Sequence, residues 1–321
     1  MHRPLRETLL LSMRGGGIVT TLHKAPSQAL GILSGELVGF WKSETIRLAV
    51  EIKALENPSL APPVLLRALW EIGVVDEQGT LTEKGRLLTN DSFMGEAALM
   101  WHEVHKVWEH LKEVIKEKNP SHHLTFKEAC TEKEKLMLYQ KALAGYTRED
   151  FSSIAAWPLW GNHQTLIFLG QTGITLAQEI LNHQPRVETI VLNRDLPIYK
   201  FEAPPGLQTV FQDPLSSWSL EGDGLVLPRF LHYFPDKEAL QILKEGHSAL
   251  NSEGKLYLFE LVIAPEAPIG GLMALNMLAE SGGKLRTQKE WKNLLHKAQF
   301  KVTDFQTIKP HLHLIVGEKN G

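Results

Sequence analysis

Cysteine is nearly absent: Cys130 stands alone in 321 residues, so no intrachain disulfide can form. Long apolar runs are absent too. The N-terminal stretch Leu9 to Met13 is only five residues long before Arg14, too short for a signal core or a membrane span. A cytoplasmic protein is therefore expected. Neither sign of charge dominates, since 34 Lys and Arg face 37 Asp and Glu for a net charge of −3. Such a balance gives no strong pull towards nucleic acid or a membrane surface. The 14 histidines are scattered, with close pairs only at His122-His123 and His311/His313. No carboxylate or cysteine falls at ligand spacing beside them, and no metal is expected. Internal repeats and low-complexity segments are also missing.

What remains is an ordinary globular composition, 43% hydrophobic and 22% charged, long enough for a substantial core. Residues 28 to 115 have helical grammar. "SETIRLAVEIKAL" (43–55) sets Ile46, Ala49, Val50 and Ile52 near one face behind Ser43 as N-cap. "APPVLLRALWEIGVV" opens on prolines and closes on Gly73. "DEQGTLTEKGRLL" then reads as a short hairpin turn and another helix. Two helices and a small wing resemble a winged-helix module, a frequent DNA binder. The candidate recognition helix, however, has one arginine, one glutamate and otherwise apolar residues, which suits burial against protein rather than phosphate. Residues 95–123 predict a long amphipathic helix, with Leu99, Val104, Val107, Trp108, Leu111, Val114 and Ile115 on its apolar side. It breaks at Asn119-Pro120, and a second helical stretch, "TEKEKLMLYQKALAGYT", follows. The expected organisation is 1–115, 116–160 with bridging helices, and 161–321.

After residue 160 strands and helices alternate. Strand runs fall at 165–170, 188–193, 207–212, 223–228 and 255–263, and helical runs at 174–183, 236–250 and 287–298. Alternation of this kind predicts a mainly parallel sheet covered on both faces. "FKVTDFQTI" and "HLHLIVGEK" are joined only by Lys309-Pro310, so they should pair antiparallel. A parallel α/β sheet ending in an antiparallel hairpin is the arrangement of class I methyltransferases, a Rossmann-like fold.

Residues 30 to 318 resemble the small-molecule O-methyltransferases typified by the plant caffeic acid and isoflavone enzymes and by acetylserotonin O-methyltransferase. The resemblance rests on "LTEKGRLL" (81–88), "NRDLP" (193–197), "LHYFPDKEALQILKEGHSALNSEGKLYLFE" (231–260) and "GGKLRTQKEWKNLLHKAQF" (282–300), in that order and spacing. It implies a winged-helix-like dimerisation domain, hence a homodimer, followed by a domain that binds S-adenosylmethionine. Little remains of a helix that relatives carry between "IRLAVEIKALENP" and "PPVLLRALWEIGVV".

His232 in "RFLHYFPD" follows a predicted strand end, where open α/β sheets place ligands. Imidazole is suited to take the proton of an acceptor hydroxyl, and the resemblance makes His232 the general base. Tyr233 and Phe234 follow it where many relatives carry Asp-Trp, and Asp236 is a candidate cap for the next helix. Glu260, at the end of "KLYLFE", matches the glutamate that orients this base. A second glutamate of the family is replaced by Leu285. For the cofactor, the resemblance assigns Asp195 to the ribose hydroxyls and Asp213 to the adenine side. Pro214 and Leu215 stand for a Met-Phe pair, and Arg229 stands where an aromatic residue is common. The first loop, "LIFLGQTGITLA", keeps Gly170 and Gly173 but has Phe168 for an acidic residue and Gln171 and Thr172 among glycine positions. Tyr139, Leu143, Tyr146 and Met277 match acceptor-lining positions. Trp157 and Trp160 read as core or interface aromatics.

Three readings stay open. The first is an S-adenosylmethionine-dependent O-methyltransferase for a small aromatic or enolic metabolite. The second is a methyltransferase fold turned to other chemistry, such as hydroxylation, decarboxylation or a pericyclic step, or to ligand binding only. The third is a regulatory or scaffolding dimer without chemistry.

Overall fold

A computed structural model gives the fold and describes residues 28–58, 61–89, 92–116, 132–194, 205–266, 270–310 and 312–319. Asp195, Cys130, His122, His123 and His311 lie outside the described residues. The described residues divide into two units between Lys42 and Ser43. In the first, α1 (Gln28–Leu37) exposes Ile32, Leu33 and Leu37. α2 runs from Phe40 to Glu51. Ser43 therefore lies inside the helix and is not its cap. The chain turns at Val38-Gly39, with the amides of Trp41 and Lys42 bonded back to the carbonyls of Val38 and Gly39.

In the second unit, α3 (Pro63–Glu71) starts on proline as expected and ends near Gly73, at φ +72°. An isolated bridge between Val75 and Leu81 forms the wing stub. α4 (Glu83–Arg86) is capped by Thr82, whose hydroxyl accepts from the Gly85 amide. α5 (Met94–Val107) is shorter than expected: a 3₁₀ turn at Trp108–His110 separates it from α6 (Leu111–Lys116). A 3₁₀ residue advances about 120° instead of 100°, so three of them rotate the following face by roughly 60°. Ile115 consequently points to solvent, 59% exposed, while Val114 is buried. The indole of Trp108, in the turn itself, donates to Asn276 at 3.0 Å.

α7 (Lys133–Ala155) has two attachments. Its first half packs Ala142 against Ala97, Met100 and Val104 of α5, and its second half adds Phe151 and Ile154 to the core under the sheet. The alternating part follows as β1 (Thr165–Leu169), α8 (Gly170–His183), β2 (Glu188–Asn193), β3 (Leu207–Phe211), β4 (Gly222–Pro228), α9 (Asp236–Ala249) and β5 (Leu250–Ile263). The chain ends with α10 (Gly271–Ser281), β6 (Arg286–Thr287), α11 (Gln288–Lys297), β7 (Phe300–Lys309) and β8 (Leu312–Lys319). Strand order is β3-β2-β1-β4-β5-β8-β7, with β6 pairing on β5. β1 to β5 are parallel, and β8 pairs antiparallel with both β5 and β7. This is the class I methyltransferase arrangement. The stretch 271–281, to which the sequence pattern assigned no element, is a helix.

Because successive strand residues face opposite sides, Ile167 and Leu169 join a core with α9 and α11, while Leu166 and Phe168 join the one with α7 and α8. Trp160 is fully buried in the latter, its indole donating to the Ile154 carbonyl at 2.7 Å. Among the described residues, no helix is long and apolar enough to cross a membrane. Phe168 packs among Phe151, Val191, Val226 and Phe259 with no exposure. Phe168→Ala should therefore lower stability by about 3–5 kcal/mol, read as a lower midpoint of urea unfolding at unchanged slope.

Candidate active site

Strand order reverses between β1 and β4, which opens a crevice at their carboxyl ends. Several elements deliver side chains or amides to it. β4 ends at Pro228, paired with Phe259 of β5, so Glu260 lies one step beyond the last paired residue of β4. The chain leaving β4 folds back over that carboxylate. Arg229 makes the turn at φ +49°, an uncommon region for a residue with a side chain. Its guanidinium is held on α7 by Asp150 at 2.7 Å and Thr147 at 3.2 Å, over the ring of Phe151. Its amide donates to the Phe259 carbonyl at 2.7 Å.

The next three amides converge on Glu260. Phe230, Leu231 and His232 donate to one carboxylate oxygen at 3.0, 2.7 and 3.2 Å. The other oxygen meets His232 Nδ1 at 2.8 Å. Glu260 has no exposure and His232 only 3%. Several convergent donors are what a buried carboxylate requires, and the 3₁₀ turn Leu231–Tyr233 provides them from the main chain. The network assigns the proton to Nδ1, since Glu260 accepts there, and leaves the lone pair on Nε2.

A second clamp holds the same turn from the other side. Arg286 is fully buried and donates to the carbonyls of Leu231 and Phe234 at 3.2 and 2.8 Å, its guanidinium stacked on Trp291. Its Nε donates to Asp236 at 2.8 Å. Asp236 is thus the first residue of α9, behind Pro235 at the cap position, with its carboxylate turned to Arg286 and Lys284 rather than to its own helix. The Lys284 amide bonds the His232 carbonyl at 2.9 Å. A Cβ at Gly283 would lie 2.1 Å from that carbonyl oxygen, so only glycine allows this approach. Leu285 is buried.

The acceptor-lining candidates divide. The Tyr139 hydroxyl donates to Glu280 at 2.8 Å and lies 3.4 Å from that of Tyr233, whose ring is 4.4 Å from the His232 ring. Met277 is buried on α10, one turn before Glu280. Leu143 is half-buried on α7. Tyr146 is turned towards α5, its ring against Phe93 and its hydroxyl bonded by Trp101 at 3.0 Å. Glu280 and Asn276 were not singled out from sequence, and Tyr233 was noted only as a departure from the Asp-Trp of relatives. The Asn276–Glu280 spacing of four was the available signal, legible only once 271–281 is a helix. Burial pushes the Glu280 carboxyl above its ordinary range, outweighing Tyr139, His232 and Asn276, which act the other way. Burial and the charge of Glu280 likewise raise the hydroxyls of Tyr139 and Tyr233.

On the other bank, α8 begins directly after β1 at Gly170 (φ +74°), and no side chain caps it. The Phe230 ring lies against Gly170, 2.7 Å from where a Cβ would stand, and Gly173 abuts Phe168. Asn193 is buried at the end of β2. Beyond β3, Asp213 is exposed and accepts from the Leu215 amide at 3.0 Å, and Pro214 is buried.

The model of the O-methyltransferase domain matches residues 108–301. The chain belongs to the O-methyltransferase family. Among curated members of the family, bergaptol O-methyltransferase of Ammi majus is 35% identical over 143 residues, 41% of this chain and 39% of that enzyme. Caffeic acid 3-O-methyltransferase 1 of Ocimum basilicum is 37% identical, over 41% of this chain and 38% of its own length. The chain thus spans about two fifths of the length of these family relatives. Among solved structures, human N-acetylserotonin methyltransferase in complex with S-adenosylmethionine superposes with a TM-score of 0.78. Coverage there is 94% of this chain and 100% of that one, at 20% identity, a likeness that carries the fold of the family.

The clamp on the His232 turn generates a pH expectation. Burial raises the Asp236 carboxyl, but its bonds to Lys284 and Arg286 outweigh this and hold it below its ordinary value of 3.8. A depressed carboxyl contributes stability above its unfolded pKa and loses it as pH falls through the folded value. Asp236→Asn should therefore lower stability at pH 7 and make it less sensitive to pH below about 4, followed by circular dichroism during acid titration.

Proposed function

We propose that the protein transfers a methyl group from S-adenosylmethionine to a hydroxyl of a small aromatic or enolic acceptor, with His232 as general base. The observation that carries this reading is the His232–Glu260 pair at the reversal point of a family-typical sheet. S-adenosylmethionine suits the donor set on the opposite bank. The uncapped start of α8 after Gly170 offers amides to a carboxylate. Asn193 and Asp213 stand at the ends of β2 and β3 for polar groups of the nucleoside, beside the buried Pro214. Asp195 is assigned to the ribose by resemblance alone. Gly173 and Phe168 keep α8 close to β1. Arg229, held on α7, contributes by fixing the turn ahead of His232.

The bound cofactor supplies an electrophilic methyl on a sulfonium. The chain's own residues handle the proton. Glu260 holds Nδ1–H, so Nε2 presents its lone pair and takes the acceptor's hydroxyl proton. The imidazolium that results is stabilised by Glu260, whose other oxygen is already saturated by three amides. Leu285 adds apolar surface and no charge, which leaves the base dependent on Glu260. Resemblance supports placing a flat acceptor beside Tyr139, Met277 and Leu143. An O-methyltransferase from neocarzinostatin biosynthesis, of the same fold, was solved with S-adenosylhomocysteine and 1,4-dihydroxy-2-naphthoic acid (TM-score 0.71, 20% identity, 92% of this chain and 100% of that chain). That supports an aromatic acceptor for the present chain. Two copies are proposed to associate through the N-terminal region, where Ile32, Leu33 and Leu37 are 57%, 51% and 70% exposed, more apolar surface than a lone helix leaves in water.

Calorimetric titration with S-adenosylmethionine tests the reading, and absence of binding at high micromolar concentration sinks it. With a methylated acceptor in hand, His232→Ala should lower kcat about 10²- to 10⁴-fold while cofactor affinity stays within twofold or so of the wild type. For association, a Leu33→Asp/Leu37→Asp variant should elute as a monomer in light-scattering chromatography where the wild type is a dimer; equal masses would discard the dimer.

A further inference from the structure

Away from the His232 site, one margin of the sheet is left open. β7 is the outermost strand there, paired with β8 on one side and with no strand on the other among the described residues. α11 leads into β7 through Ala298 and Gln299, the latter at φ +66°, so the strand doubles back along the helix. Between them lies an open cleft of about 510 Å³, within the size range of clefts that bind ligands. Lys292 and His296, four apart on α11, line it from one side, and the six consecutive residues 300–305 of β7 from the other.

Floor and rim differ in chemistry. Phe300 is buried, while Val302 and Phe305 are half-buried against the core that α9 and α11 cover. Lys292, His296, Lys301 and Thr303 are exposed. The acids that could neutralise this rim are engaged elsewhere. Asp304 is turned to its own strand, where it accepts from the Phe305 amide at 2.7 Å and from Gln306. Glu290 is the one acid of α11; it accepts from the Thr287 amide at 2.8 Å and pairs with Lys284 at 2.9 Å. Neither Lys292 nor Lys301 belongs to an ion pair among the described residues. In a chain of net charge −3, the cleft is a local excess of positive charge over an apolar floor.

Such a cleft suits a strand-like occupant. Six residues of extended chain span about 20 Å, and the outer side of an edge strand offers its main chain to a further strand. Alternate side chains of that strand would rest over Val302 and Phe305. The hold of Asp304 on the Phe305 amide closes the edge at that point, which confines pairing to the stretch containing Lys301. Charge then chooses the occupant. A second copy of the same edge would set Lys292 and Lys301 against their like, and edge lysines reject pairing of that kind. The same charge admits an acidic strand.

We propose that the cleft between α11 and β7 is a docking site for an extended acidic segment of a partner protein, which adds to the β7 edge with its carboxylates at Lys292, His296 and Lys301. The site is independent of the methyl-transfer reading and stands whether or not the chain binds S-adenosylmethionine.

The probe is the hexapeptide acetyl-Glu-Val-Glu-Val-Glu-Val-amide, titrated into the full chain by calorimetry and, with nitrogen-15 labelling, by NMR. It should bind with a Kd below about 1 mM and shift the amides of residues 300–306. The peptide with Gln for every Glu should bind about tenfold more weakly, as should the acidic peptide with N-methylated valines, which cannot pair as a strand. Lys292→Glu/Lys301→Glu, at two exposed positions, should lose about tenfold for the acidic peptide, with thermal melts confirming the fold. No binding, shifts confined to other residues, or an unchanged affinity in the double variant overturns the proposal. Equal affinity for the Gln peptide overturns the charge selection, and equal affinity for the N-methylated peptide overturns strand addition. A lower mass of the double variant than of the wild type in light scattering would assign the cleft to a second copy and overturn it as well.

Discussion

The carboxylate of Glu260 is the constraint on which the site is built. A fully buried negative charge is tolerated only where donors converge on it. Here three consecutive amides and an imidazole N–H do so. That demand shapes the chain after β4: Arg229 must turn at positive φ, a 3₁₀ turn must follow, and His232 must present Nδ1 inward. Remove the charge and the amides of Phe230, Leu231 and His232 lose their common acceptor. The tautomer that leaves the lone pair on Nε2 is thus a consequence of how the turn is held, not a separate feature.

Around this centre the protein uses cations as braces. Arg286 gathers the carbonyls of Leu231 and Phe234, and Arg229 ties the start of the turn to α7. Both guanidiniums lie on aromatic rings, where a delocalised cation is less costly to desolvate. α7 therefore serves twice, packing on α5 through one half and bracing the turn that carries His232 through the other. The His232 turn also contacts α10, whose Asn276 and Glu280 are in turn linked to α6's neighbour Trp108 and to Tyr139.

Much of this was legible beforehand, and the reason is periodicity. The strands at β1, β2, β3 and β4 are short β-branched or apolar runs bounded by turns, and α9 and α11 carry a clear amphipathic stripe, so their positions follow from local pattern. The antiparallel terminal pair followed from a connection too short for a crossover. His232 and Glu260 were marked by the family resemblance of the stretch 231–260, which places them at or just past strand ends. Less accessible were the boundaries set by tertiary partners. Ser43 and Asp236 look like caps in isolation, yet one sits inside a helix that begins earlier and the other is drawn away by Arg286 and Lys284. The amphipathic run 95–123 is continuous as a pattern but is interrupted at Trp108–His110. The segment 271–281, apolar and glycine-flanked, gave no helical period that could be told from a loop.

By itself, the sequence determined the alternation of elements, the parallel sheet with its antiparallel end, and the family through motifs in fixed order, because each depends on residue types at short spacing. Only the tertiary structure decided that Phe168 belongs to the core, that Arg229 faces α7, that Phe230 lies on Gly170, and that Glu280 stands near His232. Those outcomes depend on which faces meet across 30 to 141 residues of chain, where burial and partner charge outweigh anything a neighbouring residue can signal.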